Sequence, residues 1–257
     1  MKINLQFTAL KTHLQHEVKR MFRISFQVFL PSMITTLLYF LIFGAIIGQR
    51  IGDIDGVDYT LYITPGLVMI AVITNSYANV SSSLFSARFQ RSVEELLMSP
   101  MHHSIFLLGY ILGGVVRGVV VAILILFVAA FFVKLQWSHL PLTLLLIILF
   151  SSLFSLAGFI NGMLAKTFND IVIVPTFILS PLSYLGGVFY SINMLPPLWR
   201  TVSLFNPIYY SIDSLRYAMI GQSTTHFSLA MLFIGGLILF LIGLNLFLLK
   251  RGTGIRE

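Results

Sequence analysis

The sequence contains no cysteine, which excludes disulfides and thiolate metal sites while leaving the compartment open. It is also poor in charge. Only 10% of its 257 residues are Asp, Glu, Lys or Arg, against about 25% in a soluble domain, and the deficit falls in long runs that carry no charge at all. There is no Gly-rich loop ending in Lys-Ser or Lys-Thr, so the chain cannot cradle nucleotide phosphates by that route. A His-Glu-x-x-His pair and a Gly-x-Ser-x-Gly elbow are both missing, and with them the signatures of two common hydrolase chemistries. His102 and His103 are adjacent, so on a helix they point to different faces and read as boundary residues rather than metal ligands. No stretch is long and polar enough to form a separate soluble domain.

What fills the chain instead is apolar, at 57% of positions. A core of this size does not need that much apolar surface; a bilayer does. Each helix crossing the ~30 Å hydrocarbon layer takes roughly 20 predominantly apolar residues. Six such spans are expected, at Ile24–Gly48, Thr60–Phe85, Ser104–Val133, Leu140–Ala165, Ile171–Phe189 and Phe227–Leu249. The first is longer than the ~7–15 residues of a signal-peptide core and lacks a small-residue cleavage site, so it reads as an uncleaved span. The expected architecture is an all-α integral membrane protein with one six-span domain over residues 24–250 and a cytoplasmic tail at 251–257.

Residues 1–23 are not a span. Ile3, Phe7, Leu10, Leu14, Val18 and Met21 recur at helical spacing, while Gln6, His13, Glu17 and Arg20 occupy other faces. This pattern predicts an amphipathic helix lying in the membrane interface; a mobile basic tail is the competing reading.

The net charge of +7 could suggest nucleic acid, but its placement does not. The basic residues gather at the two ends and in short loops, beside anionic lipid. With the amino terminus inside, the cytoplasmic segments hold Lys2, Lys11, Lys19, Arg20, Arg23, Arg88, Arg91, Lys166, Lys250, Arg251 and Arg256. The outer segments hold only Arg50, Lys134, Arg200 and Arg216. The positive-inside rule then puts both termini in the cytoplasm.

Arg117 is the one basic residue deep in a span. It lies about 20 Å along the axis from Ser104, where a lone arginine costs roughly 2.5–3.5 kcal/mol on insertion scales. It must find a partner: an anionic substrate group, or polar atoms of a neighbouring helix. Asn75 and Asn79 share one face of the second span with Ser82 and Ser83. Such a stripe faces protein or water rather than lipid, either lining a path or joining helices. Glycines four apart, Gly109 with Gly113, Gly114 with Gly118 and Gly158 with Gly162, allow close helix approach. Pro31, Pro65, Pro175 and Pro181 should bend their helices.

Two connecting segments read as structured. Ser92 and Glu95 have capping-box spacing and Pro100 follows soon after. That predicts a short cytoplasmic helix presenting Leu96, Leu97 and Met98 as a docking element, an interfacial turn being the alternative. In the outer segment, Asn206 and Pro207 suit an N-cap and first helical position. Ile208, Ile212, Leu215 and Met219 then line one face, Asp213 and Arg216 have pairing distance, and Gly221 makes a stop. With Tyr190, Trp199, Phe205, Tyr209, Tyr210 and Tyr217, this describes aromatic-rich helices at the outer interface.

These residues resemble the permeases of type-2 ABC exporters, which include drug, polysaccharide and nodulation-factor exporters. The run Arg91-Ser92-Val93-Glu94-Glu95-Leu96-Leu97-Met98-Ser99-Pro100 is similar to the family's coupling-helix segment. Gly186-Gly187-Val188-Phe189, Leu195-Pro196, Asn206-Pro207 and Asp213-Ser214-Leu215-Arg216 resemble its signature between the last two spans. One position departs: many members have a Gly-Thr pair where this chain has Arg91-Ser92.

The resemblance implies a non-catalytic membrane subunit in a bacterial inner membrane, working with a second copy of itself and with two ABC ATP-binding subunits. Surrounding lipid is its other partner, with no nucleic acid. ATP and Mg belong to the partner subunit, docked through Arg91, Ser92, Glu94, Glu95, Leu96 and Leu97. Asn75, Asn79 and Arg117 fall on the translocation path. Re-entrant outer helices carrying Asn206, Pro207, Tyr210, Asp213 and Arg216 form an outer gate. The alternative is a secondary transporter driven by an ion gradient, which usually shows internal repeats and acidic midplane groups; neither is visible. A structural scaffold is a third reading, opposed by the polar stripe and Arg117. The exported substrate is not legible.

Overall fold

The computed structural model describes residues 2–90, 101–135 and 137–252. Among the described residues the order is α1 (Lys2–Arg23), α2 (Ser25–Ile51), β1 (Asp53–Ile54), β2 (Val57–Asp58), α3 (Tyr59–Phe89), α4 (His103–Ala129), α5 (Leu140–Leu164), α6 (Phe168–Leu185), α7 (Pro197–Leu204), α8 (Pro207–Ile220) and α9 (Phe227–Arg251). Six of them, α2 to α6 and α9, are long and apolar enough to cross a membrane. The protein is an all-α membrane protein.

The helix ends fall where side chains satisfy backbone groups that a helix leaves unpaired. The Asp58 carboxylate accepts from the backbone N–H of Thr60 at 2.9 Å and of Leu61 at 3.2 Å, starting α3. Between β1 and β2, Asp55 (φ 52°) and Gly56 (φ 79°) make the tight turn that such a hairpin needs. Arg88 donates to the carbonyls of Gly162 at 2.9 Å and Ala165 at 3.0 Å, the unpaired acceptors at the end of α5. That contact explains why α3 runs on to Phe89, past the Phe85 expected from hydropathy. Two other helices end earlier than hydropathy suggests: α4 stops at Ala129 rather than Val133, and α6 stops at Leu185, where Gly186-Gly187 turns the chain, Gly187 at φ 73°.

The core is the bundle of α3, α4 and α5. Val68, Ile73, Val80, Ile125, Leu146 and Phe159 are fully buried within it. The glycine pairs act as expected from their spacing. A Cβ on Gly158 would stand 2.5 Å from the Tyr77 carbonyl oxygen, and one on Gly162 2.8 Å from that of Ser81, so α5 lies directly against the backbone of α3. Gly114 and Gly118 of α4 admit Ser155 and Ser151 of α5 in the same way. Helices α2, α6 and α9 wrap this bundle and present Phe26, Phe177, Leu232 and Leu239 outward, as surfaces in contact with lipid do. Of the four prolines expected to bend spans, Pro175 opens a π-wound turn, Pro175–Leu179, and α2 is π-wound over Phe40–Ile47. Helix α3 runs through Pro65.

The segment between α6 and α9 carries two short helices, α7 and α8. Asn206 caps α8, its Oδ1 accepting from Ile208 N–H at 2.9 Å, with Pro207 at the first position and Gly221 (φ 81°) at the end. At 14 residues, α8 is about 21 Å long, too short for a ~30 Å hydrocarbon layer. Ile208, Ile212, Leu215 and Met219 are nonetheless fully buried, against α3 and α5. The helix starts beside α6, where Asn206 Nδ2 donates to the Leu182 carbonyl at 2.6 Å. It ends beside the turn before α5, where Ser138 and His139 donate to Met219 and Ala218.

Candidate translocation site

The site is built on α1. Its Gln6 accepts from His102 N–H at 3.2 Å, His13 stands over Gly109, and Glu17 stands over Gly113. These pairs advance in step, so α1 runs parallel to α4 and packs along it. The stripe turned inward is the polar one, containing His13, Glu17 and Arg20 beside Met21, while Phe7 is 68% exposed. The sequence pattern set these polar residues on faces other than the apolar one and gave them no partner. The glycines of α4 supply one, because they leave a groove against which the polar side chains pack.

From Glu17 a hydrogen-bonded ladder leads into the bundle. Its Oε1 accepts from Ser83 Oγ at 2.6 Å, and its Oε2 accepts from Arg20 Nη2 at 3.1 Å. Arg20 also donates to the Asn79 carbonyl at 3.1 Å and to Asn79 Oδ1 at 2.9 Å. Arg117 Nη1 donates to that same Oδ1 at 3.3 Å, and its Nη2 donates to Asn75 Oδ1 at 3.2 Å. Asn75 Nδ2 then donates to Ser32 Oγ at 3.1 Å and to the Ala71 carbonyl at 2.9 Å. Glu17 is 2% exposed and Arg117 7%. The ladder therefore joins α1, α2, α3 and α4 through groups removed from water, where an unpaired polar group is costly. Asn75 also forms part of the wall of a cavity of about 230 Å³ between α2 and α3.

A second polar centre lies around α8 and the turn that follows it. The Asp213 carboxylate accepts from Ser223 Oγ at 2.8 Å, from Thr224 N–H at 3.0 Å and Oγ1 at 2.7 Å, and from Thr225 N–H at 3.1 Å. Arg216 donates to the Gly187 carbonyl at 2.8 Å and lies 3.9 Å over the Tyr62 ring. A cavity of about 530 Å³ opens here, lined by Asp55, Tyr62, Asn193, Asp213, Arg216 and the turn at 221–224.

Residues 8–220 match the ABC-2 type transporter family. The chain belongs to that family. Its ABC-2 relatives include the inner membrane transport permease YadH of Escherichia coli (strain K12), 47% identical over 99% of this chain and 100% of that protein. Nodulation protein J of Rhizobium meliloti (strain 1021) is 26% identical over 78% of this chain and 77% of that protein. Transport as a membrane permease is the function of this ABC-2 chain.

The structure of this ABC-2 permease brings Asn75, Asn79 and Arg117 together in one network. Of the partners open to Arg117 from the sequence, polar atoms of the neighbouring α3 are the ones present. Asn206, Pro207, Asp213 and Arg216 sit on α8 and its cap. Tyr210 points elsewhere, donating to the Leu204 carbonyl at 2.8 Å. The expected Asp213–Arg216 pair is only a 4.0 Å contact; the carboxylate is turned toward the 223–225 turn, which offers it four donors. The coupling residues Arg91, Ser92, Glu94, Glu95, Leu96 and Leu97 lie outside the described residues.

Glu17, Arg20 and Ser32 were not singled out from the sequence as site residues. The available signal was the spacing of His13 and Glu17, which matches that of Gly109 and Gly113 four residues apart.

Proposed function

We propose that this chain is the membrane subunit of an ATP-driven exporter, two copies of which enclose the path and each bind an ABC ATP-binding subunit on the cytoplasmic side. The observation that carries this reading is membership of the ABC-2 family over nearly the whole chain, in a sequence with no nucleotide-binding loop of its own. The energy for transport must then come from another polypeptide. The basic inner segments favour cytoplasmic termini in a bacterial inner membrane, and the word "inner membrane" in the relative's name agrees.

Residues 91–97 dock the ATPase. Closure of the ATPase pair moves that segment, and with it the adjoining ends of α3 and α4. Because α1 is tied to α3 through Glu17, Arg20, Ser83 and Asn79, and α3 to α4 through Asn79 and Arg117, the three move as a unit. The inner cavity closes and the outer gate, built on α7 and α8 as a re-entrant pair, opens. This is alternating access between two states of different affinity. The short α8, buried although only 14 residues long, supports the re-entrant reading. Mild extraction of the tagged protein from its native membrane tests the proposal: an ABC ATP-binding subunit should accompany it.

A further inference from the structure

We propose that the cavity between α2 and α3 binds the anionic headgroup of an amphiphile, with Arg117 as its counter-charge. This deepens the translocation-path reading of Asn75, Asn79 and Arg117, on which it rests, by naming the class of compound the path admits.

The first observation is a charge imbalance. Two guanidinium groups, Arg20 and Arg117, share one oxygen, Asn79 Oδ1, at 2.9 and 3.3 Å. The single carboxylate in the ladder, Glu17, is paired with Arg20. Among the described residues no carboxylate forms an ion pair with Arg117, whose acceptors are two neutral amides. A buried cation held only by neutral dipoles in a membrane is costly and calls for an opposite charge.

The second observation is unspent donors within the ladder, behind the cavity wall. Arg117 Nε and Asn79 Nδ2, on side chains more than nine-tenths buried, have no hydrogen-bond partner. The third is the cavity. At about 230 Å³ it is smaller than the ~300–1,000 Å³ pockets that enclose whole drug-sized ligands, so it suits a headgroup. Asn75 separates it from Arg117, presenting one end of its amide to the guanidinium and the other to Ser32 on the cavity side. Thr35, Thr36 and Thr74 add hydroxyls to the wall, none of which hydrogen-bonds to a described residue. Leu67 and Ile70 continue the wall as apolar surface suited to an acyl chain. Hydroxyl donors in front, a cation one side chain behind and apolar surface alongside describe a site for a phosphate-type anion on a greasy tail. The shared chemistry admits a lipid-borne headgroup or a free phosphate.

The test uses the purified full-length permease in neutral detergent, with binding of dioctanoyl phosphatidic acid, dioctanoyl phosphatidylcholine and inorganic phosphate measured separately. Wild type should bind phosphatidic acid about tenfold more tightly than phosphatidylcholine, the order expected of one opposite charge at intermediate dielectric. Arg117→Gln should abolish the preference. Thr36→Val, close in shape and on the cavity wall, should weaken phosphatidic acid several-fold and guards against misfolding of the arginine variant. Competition by inorganic phosphate would identify the anion alone as sufficient; retention of the preference without such competition would assign a lipid-borne headgroup. Equal binding of the two lipids by wild type, or a preference that survives both substitutions, overturns the proposal. The readout needs no ATPase, so a missing companion subunit would sink the exporter reading without touching this site.

Discussion

Glu17 and Ser83 meet at 2.6 Å, joining the first helix of the chain to the far end of α3. The carboxylate is buried, and its second oxygen holds Arg20, which keeps about a fifth of its side-chain surface exposed. Loss of one member of a fully buried pair costs about 3–5 kcal/mol, and partial exposure of Arg20 brings the expectation down to about 2 kcal/mol. Glu17→Gln should lower thermal stability in detergent accordingly. The cycle with Arg20→Met should show coupling between the two positions; strictly additive effects would mean the pair does not act as one.

The glycines of α5 and α9 should respond in opposite directions. Gly158→Ala places a Cβ 2.5 Å from the Tyr77 carbonyl oxygen, a backbone atom that cannot step aside, and overpacking of this kind costs about 1–3 kcal/mol. Gly235 has nothing within 4 Å of its would-be Cβ. Gly235→Ala should be neutral or stabilise by up to about 1 kcal/mol through helix propensity. Thermal unfolding of the two variants checks the pair; equal effects would contradict the close packing of α5 on α3.

His13 makes the protein acid-sensitive. Burial against Gly109 and Tyr110 lowers its affinity for protons below the ordinary imidazole value of 6.5, partly offset by Glu17 and reinforced by His16. As pH falls through 6.5, the unfolded chain takes up a proton that the folded one refuses, so folding stability declines. Melting temperature should therefore fall between pH 7 and about 5. His13→Phe should fall less steeply over the same range; parallel curves would remove His13 as the cause.

Asp213 organises the outer turn. Asp213→Asn keeps the shape but replaces an accepting oxygen with an N–H₂ facing the donors at Ser223 and Thr225. A buried donor left without an acceptor costs about 1–3 kcal/mol. The expected result is faster proteolysis of the 221–226 turn in membrane vesicles, with the spans intact. Unchanged cleavage would show that the turn is held by something other than this carboxylate.

The spans were readable because lipid imposes a simple demand, long uncharged runs, that few other environments make. Their ends were less so: α3 extends to Phe89 because Arg88 finds carbonyls on another helix, which no local pattern encodes. Asn206, Pro207 and Gly221 were legible because capping chemistry is local. Arg117 could be flagged as needing a partner, but that Asn75 and Asn79 stand against it required knowing that α3 and α4 are adjacent. The inward packing of the polar stripe of α1 was not legible for a related reason. Its polar stripe looks like a solvent face until the glycines of α4 are placed against it. Asp213 likewise had a cation three residues away, and turned instead to a cluster of hydroxyls and amides that only the fold brings near.

An exporter permease of this kind requires coupling to a separate ATPase. The protein should be extracted in mild detergent with a carboxyl-terminal tag, and the extracted material assayed for MgATP hydrolysis beside the variant Glu94→Ala with Glu95→Ala. An ABC ATP-binding subunit is expected in the wild-type extract with measurable hydrolysis, and the double substitution should deplete the subunit or sever its hydrolysis from transport. Extraction of the permease alone, with no hydrolytic activity and no nucleotide-binding companion, would contradict the account.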